Sequence, residues 1–330
     1  MPIYDSWKLI LETARYTPSP HNVQPWKLRV IDQKTAQLFI DRNRMLPDED
    51  LTGSFIYSAM GMFLEALSII GKNHQQKIHY ELLNDNKEGR WIPFALLTME
   101  SDISNHQSEY LDEIFLKRRT SRLASLPTPI LQEVLEKITR LAQMCGQNFN
   151  CFTDPKIISE VIEANITALF EDLNSPHYHD EIVSWFRYTQ KEGRSKKDGL
   201  EARCMNLNPL EFYFTAKFPW ILKLPISSHL MRGVYRKKIG AMYSLGIISG
   251  AFWTKEEAIV AGKFLLRFWL ELAKHDVFIH PMGNLVTNLK ARQWLEERTQ
   301  IKNIWLVFRM GYTKPAPQSH RLDVNDLFLE

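Results

Sequence analysis

Cysteine is scarce in this chain: three in 330 residues, Cys145, Cys151 and Cys204, with no C-x-x-C pair. An odd, scattered set builds neither a disulfide framework nor a thiolate zinc site. A charge excess of one sign is also missing. With 41 Lys and Arg against 38 Asp and Glu, the formal charge is +3. That balance excludes a dedicated nucleic-acid binder, whose footprint is a strongly basic face or arm. No run of about 18 apolar residues occurs; the nearest, 210–231, is broken by Lys217, Pro219, Lys223 and Pro225. The first residues carry Asp5, Glu12 and an early Pro, instead of a basic start followed by an apolar stretch, so they do not read as a signal peptide. The expectation is a soluble, cytoplasmic chain with neither nucleic acid nor membrane as partner.

What is present is ordinary globular material: 45% hydrophobic and 24% charged residues. A chain this long buries about three quarters of its unfolded surface and needs no staple. Its size fits two domains or one elaborate one. Aromatics reach 12%, with nine Trp. They serve a core or line a ligand equally well.

Apolar spacing predicts a helix over 5–16, stopped by Pro18 and Pro20. Alternation predicts strands at 26–31 and 36–40, joined by a hairpin turn at Asp32. A long apolar helix is expected at 52–72, then strands at 76–83 and 92–100. The polar stretch 101–108 has linker composition. Beyond it, helices are expected near 109–117, 128–144, 154–172, 178–188 and 254–274, with strands at 147–152 and 303–310. The charged run 187–203 reads as a solvated loop, and the chain ends as an extended tail after Gly311. No βαβ rhythm repeats, which favours α+β over a doubly wound sheet.

Two stretches carry chemistry. The first is Pro18-Ser19-Pro20-His21-Asn22-Val23-Gln24-Pro25-Trp26, between a helix and a strand. A Pro-stiffened loop of this kind presents hydroxyl, amide and backbone N–H groups to an anionic or heteroaromatic ligand. Ser19 and Asn22 also fit the plain capping of a turn. The second is Lys117-Arg118-Arg119-Thr120-Ser121-Arg122 at a helix end. Three planar, multidentate guanidinium groups beside two hydroxyls suit a phosphate, or form a solvated basic turn.

The pattern P-S-x-x-N-x-Q-P-W between helix and strand resembles the flavin-binding loop of the nitroreductase family of FMN-dependent oxidoreductases. In that family the loop reaches across a dimer interface to the flavin of the neighbouring subunit. The run 118–122 resembles the family's R-x-S/T-x-K/R motif. The resemblance implies Arg118, Arg119 and Thr120 on the FMN phosphate and Arg122 near flavin N1 and O2. It implies Pro18, Ser19, His21, Asn22 and Gln24 as loop contacts. It also implies a backbone N–H at Met282 or Gly283 toward flavin N5, and Arg321 on the phosphate.

The order of the motifs is inverted relative to ordinary nitroreductases. The loop lies in the first part of the chain and the basic motif in the second. The chain therefore resembles the split subfamily in which two nitroreductase-like halves, 1–105 and 106–330, pack as an intrachain pseudo-dimer. Segment 187–233 is an insertion, a lid or a substrate wall. The helix from Ser58 to Gly71 parallels that from Ala261 to Ala273, and both suit the central interface. Aromatics Phe212, Tyr213, Phe214, Phe218 and Trp220 of the insertion pack, or cover the flavin. His280 suits a buried structural histidine.

The implied function is hydride transfer from NAD(P)H through FMN to a nitro compound, quinone or similar small acceptor, with the flavin doing the chemistry and no metal. The alternative is a flavin-sequestering protein with little turnover. Either fits a monomer built as a pseudo-dimer, or a homodimer.

Overall fold

The computed structural model describes residues 5–84, 88–102, 108–239 and 241–330. The first part runs α1 (Asp5–Ala14), β1 (Trp26–Val30), β2 (Thr35–Asp41), α2 (Ser54–Asn73), β3 (Gln76–Leu82) and β4 (Trp91–Ser101). The expected hairpin turn is there: Asp32 Oδ1 accepts from the N–H groups of Lys34 and Thr35 at 2.8 and 2.9 Å. Helix α3 (Asp112–Lys117) leads into the second part. That part begins with α4 (Gln132–Met144) and β5 (Gln147–Phe152). A long excursion follows: α5 (Pro155–Leu173), α6 (His179–Ser184), β6 (Phe186–Arg187), α7 (Gln190–Lys196), β7 (Leu200–Glu201), α8 (Pro209–Lys217) and α9 (Pro225–Ile239). It closes with β8 (Leu245–Gly250), α10 (Lys255–Lys274), β9 (Val277–Pro281), α11 (Asn284–Thr287), α12 (Leu289–Thr299) and β10 (Ile304–Tyr312).

Two four-stranded antiparallel sheets result, ordered β1-β2-β4-β3 and β5-β8-β10-β9. The first, second, fourth and third strands of each part occupy corresponding places. In both sheets the pairing of second and fourth strands carries a bulge. A 20-residue helix lies between second and third strands each time. The α+β expectation therefore holds, with an internal repeat of helix–strand–strand–helix–strand–strand.

Helices α2 and α10 cross where each lacks a side chain. A Cβ at Gly61 would lie 2.2 Å from the Ile259 carbonyl oxygen, and one at Gly262 would lie 2.0 Å from that of Ser58. The same sequence offset separates Gly61 from Gly262 and Ser58 from Ile259, so the crossing is close to two-fold symmetric. The sequence comparison pairs Ser58 with Ala261, a slightly different register. By length and composition α2 could cross a membrane, but 83% of that stretch is buried within the protein.

One core cluster fills the space between α1, the first sheet, the α2–α10 crossing and one face of the second sheet. A second lies on the other face of that sheet, under α5, α9, α11 and α12. The second sheet is thus covered on both faces, which is why β8 is buried from Leu245 to Ser249 and β10 from Ile304 to Gly311, Arg309 included, while β1, β3 and β4 keep exposed positions.

Three expectations need correction. Residues 187–203 are not a solvated loop. Thr189 and Glu192 form a capping box that starts α7. Arg187 forms a buried ion pair with Asp198 at 2.6 Å, and Glu201 is buried too. Alternating charges concealed two short paired strands. Second, 277–284, whose sequence resembles the nitroreductase turn after the second interface helix, is mainly strand β9, because Val277 to Pro281 pair with β10. Third, the excursion between neighbouring strands β5 and β8 is longer than 187–233 and includes α5 and α6. The 105/106 boundary lies outside the described residues.

Candidate functional site

The connection from α1 to β1 is locked by its own polar side chains. Ser19 caps nothing; its Oγ accepts the Gln24 N–H at 3.0 Å. Gln24 Oε1 accepts from the Leu322 N–H at 2.9 Å, and its Nε2 donates to Asn22 O and Lys197 O at 3.3 and 3.0 Å. Asn22 Nδ2 donates to Gly199 O and His320 O at 3.3 and 3.1 Å. His21, Asn22 and Gln24 hold φ of 46°, 58° and 52°. Left-handed backbone costs on the order of 1–3 kcal/mol per non-glycine residue, so such a run persists only where surrounding contacts over-determine it. His21 Nε2 meets Glu49 Oε2. Burial pushes the His21 pKa down, but the adjacent Glu49 carboxylate outweighs it and the net shift is upward.

The run 118–122 leaves α3 and lies against β9. Thr120 bridges to Ile279, whose carbonyl accepts the Ser121 N–H at 3.0 Å. Arg118 is buried, donates to Tyr16 O at 3.0 Å, and stacks on Trp269 of α10 at 4.5 Å. That bond ties the basic run to the base of the 18–24 loop. Arg119 donates to Ala316 O at 2.8 Å and Arg122 to Cys204 O at 3.1 Å. From β10, buried Arg309 reaches Ser121 O at 3.4 Å and the Ile239 carbonyl. From the tail, Arg321 donates to His320 O at 3.2 Å.

These five arginines donate to backbone carbonyls, and none pairs with a carboxylate among the described residues. The Nε of Arg118, Arg119, Arg122 and Arg321 is buried without a partner, as are Asn22 Oδ1 and His280 Nδ1. Burial, then Arg321 and Arg119 nearby, pushes Arg118 down to about 9. Burial likewise pushes Arg122, Arg309 and Arg321 down to about 10. Burial with Arg122 and Arg309 close by takes His280 well below its ordinary value and keeps it neutral. Concentrated, desolvated positive charge without a counter-ion costs several kcal/mol per group. A polyanion with many acceptor oxygens, such as a phosphate, relieves it.

The structure thus brings together Pro18 to Gln24, Arg118, Arg119, Thr120, Arg122 and Arg321, although the two motifs lie far apart in sequence. Two expectations change. The Met282 N–H donates to Val307 O at 2.8 Å and its side chain belongs to the second core, so it offers no donor to a ligand. Gly283 heads α11 with open space beside it. Gln24 has both ends of its amide occupied, so it shapes the loop and does not reach outward. Sequence reasoning missed Arg309 and Glu49. The signal for Arg309 was a charge inside the apolar run IWLVFRM, where a strand buried on both faces demands a polar partner. Glu49, within a run of acids, gave none.

The chain is 21% identical over 319 residues to the probable NAD(P)H nitroreductase PigM of Serratia sp. (strain ATCC 39006), covering 90% of this chain and 85% of that protein. The chain is thus similar to a probable nitroreductase along most of its length. No protein-family model matches it. Among solved structures it is similar to the FMN-dependent nitroreductase NfnB from Mycobacterium smegmatis in complex with NADPH, at 15% identity and a TM-score of 0.37, over 62% of this chain and 87% of that one. It is also similar to the FMN and NADPH-dependent nitroreductase NfnB from sphigopyxis sp. strain HMH, at 11% identity and a TM-score of 0.40, over 65% of this chain and 95% of that one. The chain spans most of the length of each.

Proposed function

We propose that this chain binds one FMN between the 18–24 loop, the 118–122 run and the tail, and reduces a small acceptor at the expense of NAD(P)H. The observation that carries the reading is the convergence of four arginines whose Nε atoms are buried without partners. Those orphan donors fit a phosphate-bearing cofactor. FMN held there would supply the two-electron chemistry that links NAD(P)H to a nitro compound, quinone or similar acceptor. Arg118, Arg119, Thr120 and Arg321 hold the phosphate. Arg122, with Arg309 behind it, sits toward the ring edge, where a fixed cation stabilises the charge that reduction creates. The Ser19 hydroxyl and the unpartnered Asn22 Oδ1 would face the ring, His21 would be steadied beside it by Glu49, and Gly283, with open space at its Cα, would lie on its N5 side.

We further propose that the two repeats, 1–105 and 106–330, form one flavin site and not two. The turn between α4 and β5 that would correspond to the 18–24 loop is only Cys145-Gly146. The basic run occurs only in the second part. Quantitative extraction of purified protein is expected to yield one FMN per chain, and two would refute the shared-site reading. Bleaching of the flavin absorbance by NADH or NADPH separates an enzyme from a sequestering protein.

A further inference from the structure

The excursion between β5 and β8 turns an apolar face outward. Leu210, Phe214, Trp220, Leu224, Ile226 and Leu230 are all exposed, Ile226 at 87%, Leu230 at 67% and Trp220 at 55%. They come from α8, a short turn at Pro219–Lys223, and α9. Their inward counterparts are different residues: Phe212 packs on Phe186 at 4.2 Å, and Leu222 and Ile239 join the second core. The outward set therefore contributes nothing to that core. Soluble monomers rarely leave contiguous apolar surface of more than a few hundred Å² uncovered.

The charges among these residues are of one sign. Over 209–239 the chain holds Lys217, Lys223, Arg232, Arg236, Lys237 and Lys238 against a single acid, Glu211, which is tied to Lys238. Arg232 and Arg236 pair with Glu163 of α5. Lys217, Lys223 and Lys237 form no ion pair among the described residues.

We propose that this face docks on an anionic lipid bilayer, lying in the interfacial plane without spanning it. Trp, Phe, Leu and Ile enter the headgroup–acyl boundary while lysines on flexible stems meet anionic headgroups. A second copy of the chain is the weaker occupant. A self-complementary contact would set like-charged lysines against one another across the apolar patch. The earlier expectation of no membrane partner rested on spanning segments, and an interfacial face leaves no such signature.

The test is co-sedimentation of the full chain with vesicles of phosphatidylcholine alone or with about one third phosphatidylserine, at low and high salt. Binding is expected on the anionic vesicles, weakened by salt. Trp220→Ser with Ile226→Ser keeps the net charge, so it separates insertion from mere attraction of a basic protein. About a tenfold or greater loss of partitioning is expected from that double variant. Lys217→Glu with Lys223→Glu is expected to remove the preference for phosphatidylserine. All four positions are exposed, and circular dichroism checks that the variants remain folded. No sedimentation of wild type with anionic vesicles overturns the proposal, as does undiminished binding by the double serine variant. Concentration-dependent dimerisation abolished by the same variant, without vesicle binding, also overturns it and assigns the face to self-association. The readout involves no flavin and stands or falls apart from the cofactor reading.

Discussion

Arg118→Met is expected to separate two properties, leaving apo stability nearly unchanged while weakening FMN binding. In the apo-protein the Arg118 guanidinium is buried, its Nε is unpartnered, and Arg321 and Arg119 crowd it. Replacing such an ion by an apolar side chain of similar volume typically stabilises by about 1–4 kcal/mol. Against this stand the bond to Tyr16 O, worth about 1.5 kcal/mol, and the stacking on Trp269, worth about 1–2 kcal/mol when desolvated. At mid-range these terms nearly cancel, so the apo Tm of the variant is expected to stay within a few degrees of wild type. FMN binding is expected to change much more. Losing one charged hydrogen bond to phosphate costs about 1.5–3 kcal/mol, or about 10- to 150-fold in Kd.

The pH dependence follows from the same group. Burial pushes folded Arg118 down to about 9, well below an unfolded arginine. Above that pH the unfolded chain binds more protons, so the wild type gains stability as pH rises. The stability of the variant relative to wild type is therefore highest at neutral pH and falls as pH rises through 9. Differential scanning calorimetry of flavin-stripped protein at pH 7 to 10, with FMN titration by fluorescence quenching, measures all three effects. An apo Tm several degrees below wild type with unchanged FMN affinity would falsify the reasoning, making Arg118 a packing residue.

Arg122→Ala is expected to lower the flavin midpoint potential, because a cation at the ring edge binds the reduced form more tightly than the oxidised one. Arg118→Met is expected to leave it unchanged in the same redox titration, and a shift confined to Arg118→Met would mean the two roles are reversed. Asn22→Ala removes a side chain that joins Gly199 O to His320 O; it is expected to cost about 1–3 kcal/mol of apo stability as well as FMN affinity. Ser19→Ala, which loses one backbone contact, is expected to cost less in the same denaturant titration. Gly61→Ala and Gly262→Ala each place a methyl on a backbone carbonyl of the facing helix. Each is expected to destabilise by about 3 kcal/mol, read by urea unfolding; a neutral result would mean the crossing relaxes freely.

Local order was legible in the sequence wherever one short-range rule dominated. Apolar spacing located α2 and α10, alternation located β1 and β2, and the Asp32 turn declared itself through side-chain chemistry that needs no distant partner. Two motifs also stood out by residue type, the Pro-stiffened loop at 18–26 and the basic run at 118–122. Their proximity was not written locally. It arises because Gly61 and Gly262 let two helices cross at backbone contact, and because β9 and the tail carry Thr120 and Arg321 to the loop. The same long-range packing decided the fate of single residues. Gln24 turned inward because Leu322 and Lys197 are there to meet it, and the Met282 N–H was taken by β10. Arg309 became part of the cationic cluster because its strand is covered on both faces. The charged stretch 187–203 looked solvated because its partners, Arg187 with Asp198 and Glu201 with the tail, become neighbours only after the chain has folded. A spacing rule senses the residues within a helical turn or a strand repeat, whereas desolvation, orphaned donors and buried ion pairs depend on what arrives from elsewhere in the chain.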